Sequence, residues 1–340
     1  MKSYLSYLRI LCNFSVIIVH VSTIHLWKIN LIPITDWQIV NFTCSLFRFG
    51  IPVFFMISGA ILLNRTEDLQ THLKKRAKRI LIPFFVWTFF YFLYYNFQNL
   101  QQENIIRLIK EYGLFVYQGA QRTEMWFIYT IISFYLFIPI LRKWVQYASK
   151  KEILYFLIIW GITLFQTKQT QFLFPSIDLK YFSSYFGCLI LGFYLDKYVN
   201  HQKEIHKILY FFIFLIGVAL TFALTSYYSI SKNELIRNFY WNYTPNVILA
   251  ASGLFLFIKS ISNNKPINSW VNTANNTSYG IYLIHALIIT TLGSYIKIYN
   301  QHSAILLCLE IIIYSISVYI LSFLTIYFLT KVSFLNKIVT

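Results

Sequence analysis

The chain has 340 residues, of which 57% are hydrophobic, 20% aromatic and only 12% charged, against about 25% charged residues in an average soluble domain. A water-soluble fold of this length could not hide so much apolar surface, so lipid is its natural solvent, and sparse glycine and proline argue against disordered or low-complexity chain. The net charge of +17 does not point to nucleic acid, because the basic residues cluster in short segments between apolar runs, as the positive-inside rule requires.

A spanning helix needs about 20 mostly apolar residues. Ten candidates follow in chain order, at 5–27, 39–63, 80–97, 125–143, 153–166, 181–196, 208–226, 245–260, 277–297 and 304–330. They predict an all-α, polytopic membrane helical bundle forming one domain over residues 1–340. The fifth and sixth are short and close to polar segments, so counts of nine and eleven stay open. The first run is too long for the core of a signal peptide and no A-x-A-like site follows it, so it is expected to persist as a helix. With the N-terminus inside, the predicted cytoplasmic segments carry 18 Lys and Arg against 9 on the other side, which places both termini in the cytoplasm and the chain in the inner (plasma) membrane. The segment 98–123 is the longest external loop. Cys12, Cys44, Cys188 and Cys308 all fall in apolar runs with neither metal nor disulfide spacing, and no metal site is predicted.

An ionisable side chain in the hydrocarbon core costs at least ~2.5 kcal/mol, so each one asks for a reason. Arg9, His20, Arg48 and His285 are four such residues, and Glu124 stands at the mouth of the fourth helix. Arg9 and His20 are eleven residues apart, which brings both to one helix face about 16 Å apart along the axis. Asn13 lies one turn above Arg9 on that face, and a polar stripe this long must face protein or water. Arg48 falls near mid-membrane with no Asp or Glu in the core of the first two helices to pair with, which favours an anionic ligand. Gly50 and Pro52 beside it can kink the helix and free carbonyls. His285 reads equally well as a packed structural residue and as a functional one. In HLKKRAKRILIP, Lys75, Arg76, Lys78 and Arg79 crowd the interface, where they suit anionic membrane lipids or a phosphate-bearing donor.

These elements resemble the acyltransferase-3 family of membrane acyltransferases over nearly the whole chain. Arg9 and His20 resemble its R-x10-H element, and FRFGIPVFFMISGAIL its second-helix element. KKRAKRILIP, MWFIYTIISFYLFIPIL and YGIYLIHALI are similar to its later motifs, in order and at comparable spacing. The chain looks like the stand-alone type without an extra periplasmic domain. Two positions depart from the pattern: Glu124 and Met125 stand where related sequences often carry His-Leu, and Ala286 follows His285 where proline is common.

The resemblance implies O-acyl transfer, usually of acetyl from acetyl-CoA on the cytoplasmic side, to a hydroxyl of a cell-envelope glycan. Lys75, Arg76, Lys78 and Arg79 would then hold the donor's phosphates. His20 would be the general base, Arg9 would lie on its face nearer the donor, and Arg48 would stabilise developing negative charge. Glu124 would orient His20 or the sugar, with Asn13, Trp126 and His285 on the substrates. Direct transfer and a covalent acyl-His20 intermediate both fit, and a homo-oligomer is compatible with the sequence. The rival expectation is a glycan carrier of the same fold, since buried Arg and His suit a carrier too.

Overall fold

The computed structural model describes residues 2–96, 104–120, 124–165, 179, 182–200, 203–262, 266–295 and 304–339. The described chain is α-helical apart from its connections: α1 (Ser3–Leu26), α2 (Ile34–Phe47), α3 (Gly50–Leu62), α4 (Leu69–Arg76), α5 (Ile82–Asn96), α6 (Ile105–Tyr117), α7 (Trp126–Tyr147), α8 (Lys150–Thr163), α9 (Phe186–Tyr198), α10 (Glu204–Lys232), α11 (Pro245–Ser262), α12 (Ser269–Tyr295), α13 (Ala304–Lys331) and α14 (Ser333–Val339). A π-helical turn at Ala77–Leu81 joins α4 to α5, and a 3-10 turn at Asn238–Tyr240 precedes α11.

Among the described residues, seven helical segments are long and apolar enough to cross a membrane: Ser3–Leu26, Ile34–Leu62, Leu69–Asn96, Trp126–Tyr147, Glu204–Lys232, Asn238–Ser262 and Ile305–Lys331. The protein is therefore a multi-pass membrane protein of the inner (plasma) membrane. The fifth and sixth expected spans correspond to α8 and α9, of 14 and 13 residues. A helix of that length is typical of a buried core element rather than a full crossing, and α9 is buried over most of its length. The expected ninth span is α12, whose stretch NTANNTSYG makes it less apolar than the seven. The third span begins earlier than hydropathy places it, because Asp68 caps α4 by accepting from the Thr71 amide (2.9 Å). The basic run is thus helix, not loop. Within the expected loop 98–123, α6 carries an apolar stripe, and Tyr112 donates to the Phe85 carbonyl (2.8 Å) to hold it on α5.

The chain divides into two compact units. The first comprises Met1–Arg65, Arg142–Asn275 and Ile298–Ser317, and the second Thr66–Leu141, Asn276–Lys297 and Val318–Thr340. In the first, small residues bring helices into backbone contact, the usual means of association where lipid removes the hydrophobic drive. A Cβ on Gly59 would lie 1.8 Å from the Leu189 carbonyl oxygen, and one on Gly192 would lie 2.1 Å from that of Met56, so α3 and α9 touch main chain to main chain. Gly217 and Gly253 do the same between α10 and α11.

Two buried cations finish helices in this unit. Lys259 reaches the carbonyls of Leu195 (2.9 Å), Asp196 (2.8 Å) and Val199 (2.6 Å) and the Asn200 side chain (2.8 Å), closing the end of α9. Arg142 Nε donates to Leu62 O (3.0 Å) at the end of α3. Each satisfies carbonyls that a helix end leaves open and complements its dipole. Lys259 and Arg142 count as loop charges in a hydropathy reading, yet both are buried. The Asp196 carboxylate anchors the start of α1, accepting from Lys2 Nζ (2.6 Å), Tyr4 OH and Asn64 Nδ2 (3.2 Å).

Gly59→Ala is expected to cost at least the ~1–3 kcal/mol typical of overpacking, because the obstacle is backbone rather than a side-chain tip. Thermal melting of the detergent-solubilised protein checks this; an unchanged midpoint would mean that α3 and α9 have room to part.

Candidate functional site

In the first unit, α1 is closed by a tight turn into α2, fixed by Trp37 Nε1 donating to the Leu26 carbonyl (2.9 Å). Gly50, at the start of α3, lies against Ser15 of α1, where a Cβ would come within 2.0 Å of Ser15 Oγ. Between these contacts the second span breaks at Arg48 and Phe49, which cap the end of α2 and the start of α3. The break expected beside Gly50 and Pro52 is present.

Arg48 projects from this break into the unit. Its guanidinium lies 4.4 Å from the centre of the Tyr240 ring, and its charge acts on His20, Cys44 and Tyr240. Among the described residues Arg48 makes no ion pair, and its buried Nε has no hydrogen-bond partner. His20 and Arg9 are both partly accessible on α1. Arg9 Nη1 donates to Asn275 Oδ1 (2.8 Å) at the head of α12, and Asn13 is buried one turn above it. The structure thus brings His20 and Arg48 within electrostatic reach, with Arg9 and Asn13 on the same helix as His20.

Sequence patterns do not reveal the polar chain beneath Arg48. Tyr240 OH donates to Asn41 Oδ1, Asn41 Nδ2 donates to Ser226 Oγ (2.7 Å), and Ser226 Oγ donates to Gln38 Oε1 (2.7 Å). Hydropathy sees Asn41 and Ser226 only as interruptions in apolar runs. The one available signal is an asparagine seven residues before Arg48, two turns along the same span.

The other expected residues belong to the second unit. Lys75, Lys78 and Arg79 are exposed, and Lys78 and Arg79 fall within the π-helical turn, a deformation frequent at functional sites. Arg76 differs from its basic neighbours. It is buried, pairs with Glu67 (3.2 Å) and lies 5.5 Å from the Tyr135 ring centre. His72 joins the group, with Nδ1 2.9 Å from Glu67 Oε1 and Nε2 3.0 Å from the Tyr135 carbonyl. Lys75 also pairs with Glu67 (3.7 Å), so both help to hold α4, while Lys78 and Arg79, exposed in the π-helical turn, remain available to an anion.

Glu124 accepts from the Tyr282 hydroxyl through its main-chain carbonyl, and Trp126 hydrogen-bonds to its side chain. His285 is buried, with Nδ1 2.5 Å from the Tyr282 carbonyl and its ring 5.4 Å from that of Tyr282, and it interacts electrostatically with Glu124. Glu124, Trp126, Tyr282 and His285 therefore form one cluster. Among the described residues, no group of three or more His, Cys, Asp or Glu could hold a metal ion.

The described residues form a largely membrane-embedded helical fold, and the class of protein is given by the family comparison. The model of the family described as "Acyltransferase domain", the acyltransferase-3 family, matches residues 2–330, and the chain belongs to that family. Membership makes it an acyltransferase, in a class that in general uses acyl-CoA. Among individual proteins, it is similar to the "Probable poly-beta-1,6-N-acetyl-D-glucosamine export protein" of Staphylococcus aureus strain MRSA252. The two are 23% identical over 280 residues, covering 78% of this chain and 75% of the relative. The protein of the same description from strain Mu50 is 22% identical over 285 residues, with the same coverage. No solved structure matches the chain.

Arg76→Ala should lower stability by roughly 1.5–3 kcal/mol, the worth of a hydrogen bond to a charged group, because Glu67 keeps His72 and Lys75 as partners, whereas Arg79→Ala should leave the melting temperature unchanged. Parallel thermal melts separate the two; equal midpoints would place Arg76 with the exposed cations.

Proposed function

We propose that the protein moves an acyl group, usually acetyl, from a CoA thioester bound at the cytoplasmic face to a hydroxyl of a cell-envelope glycan. The observation that carries this reading is the Arg48 guanidinium, seated 4.4 Å from the centre of the Tyr240 ring with an Nε that has no partner among the described residues, within electrostatic reach of His20. Imidazole exchanges protons near neutral pH, which suits it to deprotonate an alcohol. His20 takes the proton of the acceptor hydroxyl as its oxygen attacks the thioester carbonyl, forming the C–O bond. The carbonyl oxygen becomes an oxyanion, and Arg48 faces that charge with a donor already in place. The C–S bond then breaks, and the departing thiolate recovers the proton from His20.

The donor's phosphates are assigned to Lys75, Lys78 and Arg79, the exposed members of the basic run. Arg forks and Lys point charges are the usual partners of phosphate. Glu124, Trp126 and His285, clustered with Tyr282, are assigned to the acceptor.

A second reading is glycan export, favoured by the names of the Staphylococcus aureus relatives. Those names also put a polymer of N-acetylglucosamine among the acceptors to test. Purified protein in proteoliposomes with labelled acetyl-CoA separates the readings: label appearing on glycan supports transfer, whereas glycan crossing the bilayer without acetyl-CoA and without label supports export.

His20→Ala should lower transfer by about 10²–10⁴, the range of general acid–base catalysis, in protein that still inserts. Wild-type activity in that variant removes His20 from the chemistry. Lys78→Ala combined with Arg79→Ala should raise the KM for acetyl-CoA by about tenfold or more and leave that for the acceptor unchanged. An unaltered donor KM would return the basic run to a role in topology.

A further inference from the structure

The aromatic ring under Arg48 is held by more than packing. Tyr240 is 4% exposed, in the 3-10 turn before α11, and its hydroxyl donates into the side chain of Asn41, itself fully buried on α2. An asparagine amide offers two donors and two acceptor positions, and Asn41 uses all four. Its Nδ2 donates to Ser226 Oγ (2.7 Å) and the Phe222 carbonyl (3.3 Å), while its Oδ1 accepts from Tyr240 and from Ser45 Oγ (3.4 Å). Ser226 passes its proton on to Gln38 Oε1. Every hydroxyl and amide in this chain therefore points one way, from Tyr240 through Asn41 and Ser226 to Gln38. A fully bonded buried network of this kind rigidifies what it holds.

What it holds is the ring face beneath a guanidinium. A ring face attracts a cation most strongly when water is excluded, and here it is the partner that gives Arg48 a fixed seat without consuming its hydrogen-bond donors. An acidic partner would anchor the same group but occupy the N–H groups and neutralise the charge. We propose that Tyr240 and Asn41 are positioning residues that seat the Arg48 guanidinium with its donors free. Their catalytic meaning rests on the acyl-transfer reading above.

The test uses the full chain in nanodiscs, scoring only monodisperse protein. Tyr240→Leu removes the ring face and should lower kcat on the order of a hundredfold, the scale set by misplacing a reacting group by about 1 Å, with the KM for acetyl-CoA unchanged. Tyr240→Phe keeps the face and loses only the tie to Asn41, and should lower kcat roughly fivefold to tenfold. Should Tyr240→Leu fail to fold, Tyr240→Phe combined with Arg48→Lys carries the test. The joint loss should fall short of the product of the two single losses, because the second change removes a seat already empty. Wild-type kcat in Tyr240→Leu, or a strictly multiplicative double variant, overturns the proposal. A readout independent of turnover is the rate at which phenylglyoxal modifies Arg48, followed by peptide mass spectrometry. It should rise in Tyr240→Phe, and an unchanged rate overturns the positioning role. If the wild type transfers no acyl group, the acyl-transfer reading fails on its own, and the labelling rate still decides whether Tyr240 seats Arg48.

Discussion

A cation in a bundle this apolar must be matched or put to use, and that constraint sorts the buried basic residues. Lys259 and Arg142 are matched by the carbonyls at the ends of α9 and α3, and Arg76 by Glu67. In each case the charge completes something the fold leaves open. Arg48 is different: it has an aromatic face beneath it and, among the described residues, no acid paired with it. Its desolvation is offset only in part by Tyr240, a cost that makes sense if a negative charge arrives during function. On the acyl-transfer reading proposed above, His20 gives that charge a chemical origin, because attack of an alcohol on a thioester carbonyl generates an oxyanion.

Family membership and the names of the relatives point to overlapping rather than opposed activities. The family model spans residues 2–330 and is that of an acyltransferase, while the Staphylococcus aureus relatives are named for export of a glycan. An enzyme that meets a cytoplasmic thioester with one end and an envelope glycan with the other needs a polar route through the membrane, which a carrier also needs. Under the proposed function, the feature that would tell them apart is a proton acceptor beside an electrophile stabiliser, which a route alone does not call for.

Hydropathy locates most of the helices, because lipid imposes one long apolar run per crossing, and the spacing of Arg9 and His20 follows from helix periodicity alone. It does not tell the short α9 from a full crossing, because a helix buried in protein and a helix facing lipid carry the same apolar composition. It treats Lys259 and Arg142 as loop charges because the carbonyls that hold them come from residues distant in sequence. For the same reason Arg76 is indistinguishable from Lys75 in the sequence. Both pair with Glu67, and the partner that separates them, the Tyr135 ring under Arg76, lies 59 residues further along the chain. The break at Arg48 is readable from Gly50 and Pro52, whereas Tyr240, almost 200 residues away, is not.

The π-helical turn at Ala77–Leu81 changes how the third span should be compared with its relatives. A turn wound i→i+5 accommodates one residue more than an α-helical turn over the same stretch. Downstream of residue 81 every side chain is consequently out of phase with the wheel drawn from Leu69 onward. A homologue shorter by a single residue here would present Pro83, Trp87 and Tyr91 in the same directions while its basic residues slid to a new bearing. Alignments that place the gap elsewhere along the span would equate side chains about 100° apart around the helix.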